Sequence, residues 1–148
     1  MTCMKDKVFI DTNIFVYAFL DTDDSSQHAK HLKAVEFLKQ FDADSQVIIS
    51  TQVLSEYYSA LLKNKISDED IQESAKQLVN SIEVVSVSKK IVMDSYSIKN
   101  KYRYSYWDSL IISSALQSNC TVLYSEDLQH SQKIENQLSI INPFTIIR

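Results

Sequence analysis

Val8-Phe9-Ile10-Asp11-Thr12-Asn13-Ile14-Phe15 decides how the rest of this chain is read. An apolar run stops at Asp-Thr-Asn and a second apolar run begins. The first run, residues 8–11, reads as a buried strand, and residues 13–20 read as the start of a helix. Asp11 then stands at the carboxyl end of a strand, where open α/β folds place their ligands. One such Asp decides little, so the question is which other acids meet it.

Working outward, apolar residues recur every three positions at Ala29, Leu32, Val35, Leu38 and Phe41, which predicts a helical stripe over 27–41. Val47-Ile48-Ile49-Ser50 reads as a second strand. Ser50 or Thr51 is positioned to cap a helix running to about Asn64, with Leu54, Tyr57, Tyr58, Leu61 and Leu62 inward. Ser67-Asp68-Glu69-Asp70 opens the next helix, striped by Ile71, Ala75, Leu78 and Ile82. Residues 83–87 form a third strand, and Ser88 caps a helix to about Lys101. A turn at 103–105 leads into a helix from Tyr106 to about Ser118, and 121–125 form a fourth strand. Residues 139–141 and 144–147 are further short strand candidates. Strands alternating with helices, and strand runs that are apolar on both faces, imply an α/β fold. Its central sheet is mostly parallel, of about four to five strands, with helices on both faces. The 148 residues suffice for one domain, 1–148.

Composition removes several functions. The chain has no Gly, so neither a P-loop nor a GxGxxG dinucleotide site is present. It carries a net charge of −4, so a nucleic-acid role requires a local basic patch or bridging metal ions. Cys3 and Cys120 form no CxxC pair and read as free thiols of a reducing compartment, Cys120 buried. The amino-terminal residues show no signal-peptide pattern, and no apolar run is long enough to span a bilayer. A cytoplasmic protein is the expectation.

Three acids can join Asp11. Asp127 follows the fourth strand. Glu56 lies in the first turns of the helix after the second strand. Asp108 lies in the first turn of an apolar helix and shares a face with Ile111, Ile112 and Ala115. Singly, each has an ordinary explanation as a cap, a turn former or a solvated helix residue. Together they are placed to meet at one sheet edge. Their mutual repulsion calls for a divalent cation, and oxygen-only ligands select Mg²⁺ or Mn²⁺.

Asp11-Thr12-Asn13, Glu56, Asp108 in Trp-Asp-Ser-Leu-Ile-Ile-Ser-Ser-Ala, and Ser125-Glu126-Asp127 occur in the order that resembles PIN-domain ribonucleases, the VapC-like toxins of toxin–antitoxin pairs in particular. The resemblance spans nearly the whole chain. It implies that Asp11, Glu56, Asp108 and Asp127 are catalytic metal ligands. It also implies that Asn13 and Ser125 support them, Asn13 by fixing the Asp11 carboxylate. The implied activity is metal-dependent hydrolysis of RNA phosphodiester bonds, with an antitoxin partner and a homodimeric state. The alternatives are a housekeeping RNA-processing nuclease and a degenerate PIN fold that only binds RNA or protein. A phosphate-receiver domain also gathers acids at strand ends, but it needs an Asp ending the third strand, and Val84-Val85-Ser86-Val87 has none. Relatives often carry Gly where this chain has Ser131, and Gly takes positive φ at no steric cost.

Three further features stand apart. Basic and aromatic residues alternate from Lys99 to Trp107, which makes Lys101 and Arg103 candidate RNA contacts. His28 and His31 lie one helical turn apart and read as surface residues. Asp21, Asp23 and Asp24 read as a solvated loop.

Overall fold

The computed structural model describes residues 6–146. β1 (Lys7–Ile10) is followed by α1 (Thr12–Phe19) and α2 (Ser25–Lys39), then β2 (Gln46–Ser50), α3 (Thr51–Lys63) and α4 (Asp68–Ser81). β3 (Glu83–Val85), α5 (Lys89–Tyr102), α6 (Tyr106–Gln117) and β4 (Val122–Tyr124) come next. β5 (Lys133–Ile134), β6 (Leu138–Ile141) and α7 (Pro143–Ile146) complete the described chain.

The strands form one sheet in the order β3-β2-β1-β4-β6-β5. All pairs are parallel except β5 with β6. Neighbours along a strand point to opposite faces. Phe9 and Ile10 on β1, and Ile48 and Ile49 on β2, are all buried, so helices cover both faces of the central strands. The six strands exceed the expected four to five. The difference is β5, two residues long and paired through a hairpin whose turn is Glu135-Asn136. Both turn residues have φ of 53°, the mirror-image geometry that hairpins favour. Residues 144–147 were expected to be extended, but 144–146 belong to a helical turn beginning at Pro143, where the fixed φ of proline suits a helix start. Ile147 and Cys3 lie outside the described residues, and Cys120 is a buried free thiol.

Two stripes turn out differently. A strict spacing of three falls about 60° short of a full helical turn at each step, so it winds around the helix. On α2 the buried residues are therefore Ala34 and Phe37, while Leu32 is 54% exposed. On α3, Tyr57 and Leu61 are buried and Leu62 is 48% exposed.

Helix ends are closed without glycine. Lys65 (φ 65°) and Asn119 (φ 61°) take the left-handed conformation after α3 and α6. The Ile66 and Cys120 amides then reach back to Leu61 and Ala115, and each apolar pair closes its cap. Arg103 (φ 66°) ends α5 in the same conformation.

From β1 the chain steps outward through β2 to β3, then returns to the other side of β1 as β4. The order reverses between β1 and β4. In parallel sheets that reversal opens a crevice at the strand carboxyl ends.

Candidate active site

Asp11 leaves β1 at this crevice, its amide donating to the Tyr124 carbonyl of β4 at 2.9 Å. Its side chain also caps α1, accepting from the Thr12 amide at 2.7 Å. The other carboxylate oxygen accepts from Ser125 Oγ at 2.8 Å, and the residue is only 6% exposed. Ser125 Oγ in turn accepts from the Asp127 amide at 3.3 Å. One buried hydroxyl thus ties the acid after β1 to the acid after β4. Asn13 Nδ2 donates to Asp127 Oδ2 rather than to Asp11. Its position was legible in the sequence, but its partner is different.

Glu56 projects from the second turn of α3, half-buried, and accepts from Gln52 Nε2 at 2.8 Å. Asp108 sits in the first turn of α6, where Ser105 Oγ caps its amide at 3.1 Å. Asp127 stands on the exposed side of the crevice.

The charges of these groups act on one another. Burial pushes the Asp11 carboxyl up from 3.8 to about 6. Hydrogen bonds from Thr12 and Ser125 oppose the rise, and the charges of Asp127 and Asp108 add to it. Desolvation likewise raises Glu56 from 4.5 to about 7, with Asp11, Asp108 and Asp127 contributing repulsion. Asp127 is raised by desolvation and then by Glu126 and Asp108, while Asn13 and Lys30 pull the other way. The four acids named from the sequence therefore share one electrostatic environment with too little positive charge. Among the described residues, no three His, Cys, Asp or Glu side chains are already closed around an ion-sized position. The donor set itself, all carboxylate oxygen and uncompensated, fits a hard divalent cation.

Two supporting residues escaped the sequence reading. Gln52 is buried and holds Glu56 while donating to the Trp107 carbonyl at 3.0 Å, so it links α3 to the helix that carries Asp108. Its spacing, four residues before Glu56 on one helix face, was a usable signal. Lys30 of α2 binds Glu126 Oε1 at 2.5 Å and lies over the Tyr17 ring at 4.8 Å, which fixes the residue beside Asp127. Nothing local in the sequence joins residues so far apart.

The remaining candidates have other partners or roles in the fold. Lys101 pairs with Glu135 at 3.2 Å, and Arg103 serves as the exposed end of α5. Asp24 caps α2, and Asp21 binds His28 at 2.6 Å, so the acidic loop is internally ordered. His31 is not a surface residue: its Nδ1 meets the Tyr17 carbonyl at 2.9 Å and its side chain is largely buried. A cavity of about 430 Å³ opens at the amino ends of the strands, beside Lys7, Gln46 and Glu83, and contains none of the four acids.

Comparison with known proteins gives the family. No curated protein matches the chain. Solved structures share its fold, the following three among them. A toxin–antitoxin complex from Klebsiella pneumoniae aligns with a TM-score of 0.67 and 16% identity, covering 93% of this chain and 98% of that one. VapC20 of Mycobacterium tuberculosis, described as a toxin cleaving the sarcin–ricin loop, gives 0.67 and 18%, covering 82% and 90%. VapBC2 of Rickettsia felis, bound to a DNA fragment from its promoter, gives 0.63 and 23%, covering 91% and 98%. The family model for the PIN domain matches residues 8–135, which include all four acids, and the chain belongs to that family.

Proposed function

We propose that this protein is a Mg²⁺- or Mn²⁺-dependent endoribonuclease and the toxin of a toxin–antitoxin pair. The observation that carries this reading is the charge-coupled set of the buried Asp11 with Glu56, Asp108 and Asp127 at the sheet crevice. The toxin assignment draws support from two of the similar folds, one a toxin–antitoxin complex and one a toxin.

Asp11 and Asp108 are the principal ligands in this account, with Glu56 and Asp127 completing the set or orienting the attacking water. When bound, the ion supplies Lewis acidity toward the scissile phosphate and offsets the charge of the four carboxylates. Ser125 and Thr12 hold Asp11 in one orientation, Asn13 holds Asp127, and Gln52 holds Glu56. In-line attack by water forms the new bond to phosphorus and breaks the bond to the 3′ oxygen, leaving a 5′-phosphate and a 3′-hydroxyl. An antitoxin masks the acidic crevice, a basic side chain being the complementary group. The active form is a homodimer in the cytoplasm. Among the described residues, no helix is long and apolar enough to cross a membrane.

Incubation of cellular RNA with the purified protein tests this. Cleavage with 5′-phosphate ends is expected in Mn²⁺ or Mg²⁺, none in chelator, and none from Asp108→Asn in a folded state. Cleavage that persists in chelator or in Asp108→Asn contradicts it.

A further inference from the structure

Beside Glu56 lies a cleft of about 760 Å³ between α3 and the start of α6. Trp107 forms one wall and is 63% exposed, the most exposed large apolar side chain among the described residues. Ser55, Ser59 and Lys63 line the α3 side. Lys63 is exposed and forms no ion pair among the described residues.

An exposed indole presents a large π face on which a planar ligand can stack. Here it is held in place from both ends. The Trp107 carbonyl accepts from Gln52, the same amide that holds Glu56. The ring meets Tyr106 at 5.0 Å and 68°, its one ring contact among the described residues, so no protein ring lies parallel over it. Of the other aromatics of the basic stretch, Tyr106 packs between Tyr96 and Trp107, and Tyr102 and Tyr104 are committed elsewhere. Tyr102 accepts from the Glu135 amide at 3.0 Å, and Tyr104 bonds Gln129 and Gln132. Of that stretch, Trp107 is the aromatic left open to a ligand next to the acids.

From this geometry we infer that the Trp107 cleft is a substrate subsite that stacks one unpaired base of RNA beside the scissile phosphate. The inference rests on the proposed ribonuclease reading and extends it to substrate class. Every base has a π face, so stacking admits any sequence but requires an unpaired nucleotide. Lys63 and the Ser59 hydroxyl are donors suited to the flanking phosphate, whereas the Ser55 hydroxyl already donates to the Thr51 carbonyl at 3.1 Å. They are needed because the acids themselves repel the substrate's backbone.

Trp107 is the chain's one tryptophan, so its fluorescence reports the site directly. A uridine decamer titrated into the protein in chelator, at low salt, is expected to change that emission saturably, and the same decamer in a duplex is not. By anisotropy of a labelled decamer, Trp107→Ala is expected to weaken binding about tenfold, with Trp107→Phe recovering most of it. In Mn²⁺ the same Trp107→Ala is expected to raise KM about tenfold with kcat nearly unchanged. Lys63→Ala is expected to reduce the slope of log affinity against log salt by about one. Emission that ignores the decamer, together with wild-type binding and KM in Trp107→Ala, overturns the inference. Emission that responds only to a protein partner overturns it as well. Quenching without any Mn²⁺-dependent cleavage retires the ribonuclease reading and keeps the subsite. Cleavage with an indifferent Trp107 does the reverse.

Discussion

Asp11 carries its charge at a cost. In the unfolded chain it ionises near 3.8, and in the fold near 6. The folded state therefore binds its proton more tightly. The stability this group contributes is present in full below about pH 3.8 and is lost as pH rises through about 6. Above that, the ionised carboxylate destabilises the metal-free fold by on the order of 2–3 kcal/mol. Asp11→Asn removes the charge and keeps an oxygen to accept from Thr12. In chelator at pH 7 the variant is expected to melt roughly 5–10 °C above wild type. That gap should close below pH 4, as differential scanning calorimetry can show. A variant that melts lower than wild type at pH 7 contradicts the electrostatic account. Asp11 was legible because apolar residues surround it on both sides. Lys30 was not, because its partner Glu126, beyond the carboxyl end of β4, approaches it only in the folded chain.

At the scale of elements, the absence of glycine matters most where helices stop. Lys65, Arg103 and Asn119 each hold a positive φ that costs an ordinary side chain about 1 kcal/mol. Lys65→Gly keeps the cap bonds made by Lys65 and Ile66 and relieves that cost. It is expected to raise the unfolding free energy in urea by about 0.5–1 kcal/mol with the m-value unchanged, and a loss of stability contradicts the cap assignment. Ser131 adopts φ of 71°, so its turn holds a left-handed geometry with serine in place. The long elements were readable because their caps and apolar runs agree: Ser67 and Ser88 cap as the sequence implies, while Ser50 precedes α3 without a side-chain cap bond. β5 was missed because two residues carry no periodicity, and its pairing depends on β6. The strict three-residue stripe misplaced the buried face of α2, since only the 3.6-residue repeat keeps a side chain facing one way.

For the whole molecule, the strand order decides where the acids meet. Reversal between β1 and β4 places Asp11 and Asp127 on adjacent strand ends, and α3 and α6 bring Glu56 and Asp108 to them. Residues distributed from position 11 to position 127 become one anionic crevice in a protein whose net charge is already −4. An anionic substrate reaches such a crevice only with cations between them. The acids were visible in the sequence as a set. Their support by Gln52 and Ser125 was visible only in part, because hydrogen-bond partners depend on how helices lean rather than on where they begin.

Calorimetric titration of metal-free protein with Mn²⁺ at pH 6.5 tests the central claim most directly. Wild type is expected to bind saturably and to release protons, because the raised carboxyls of Asp11 and Glu56 are partly protonated there and must ionise to bind. Folded Asp11→Asn is expected to lose most of that binding. A wild-type protein that takes up no Mn²⁺, or an Asp11→Asn variant that binds it equally well, contradicts the account.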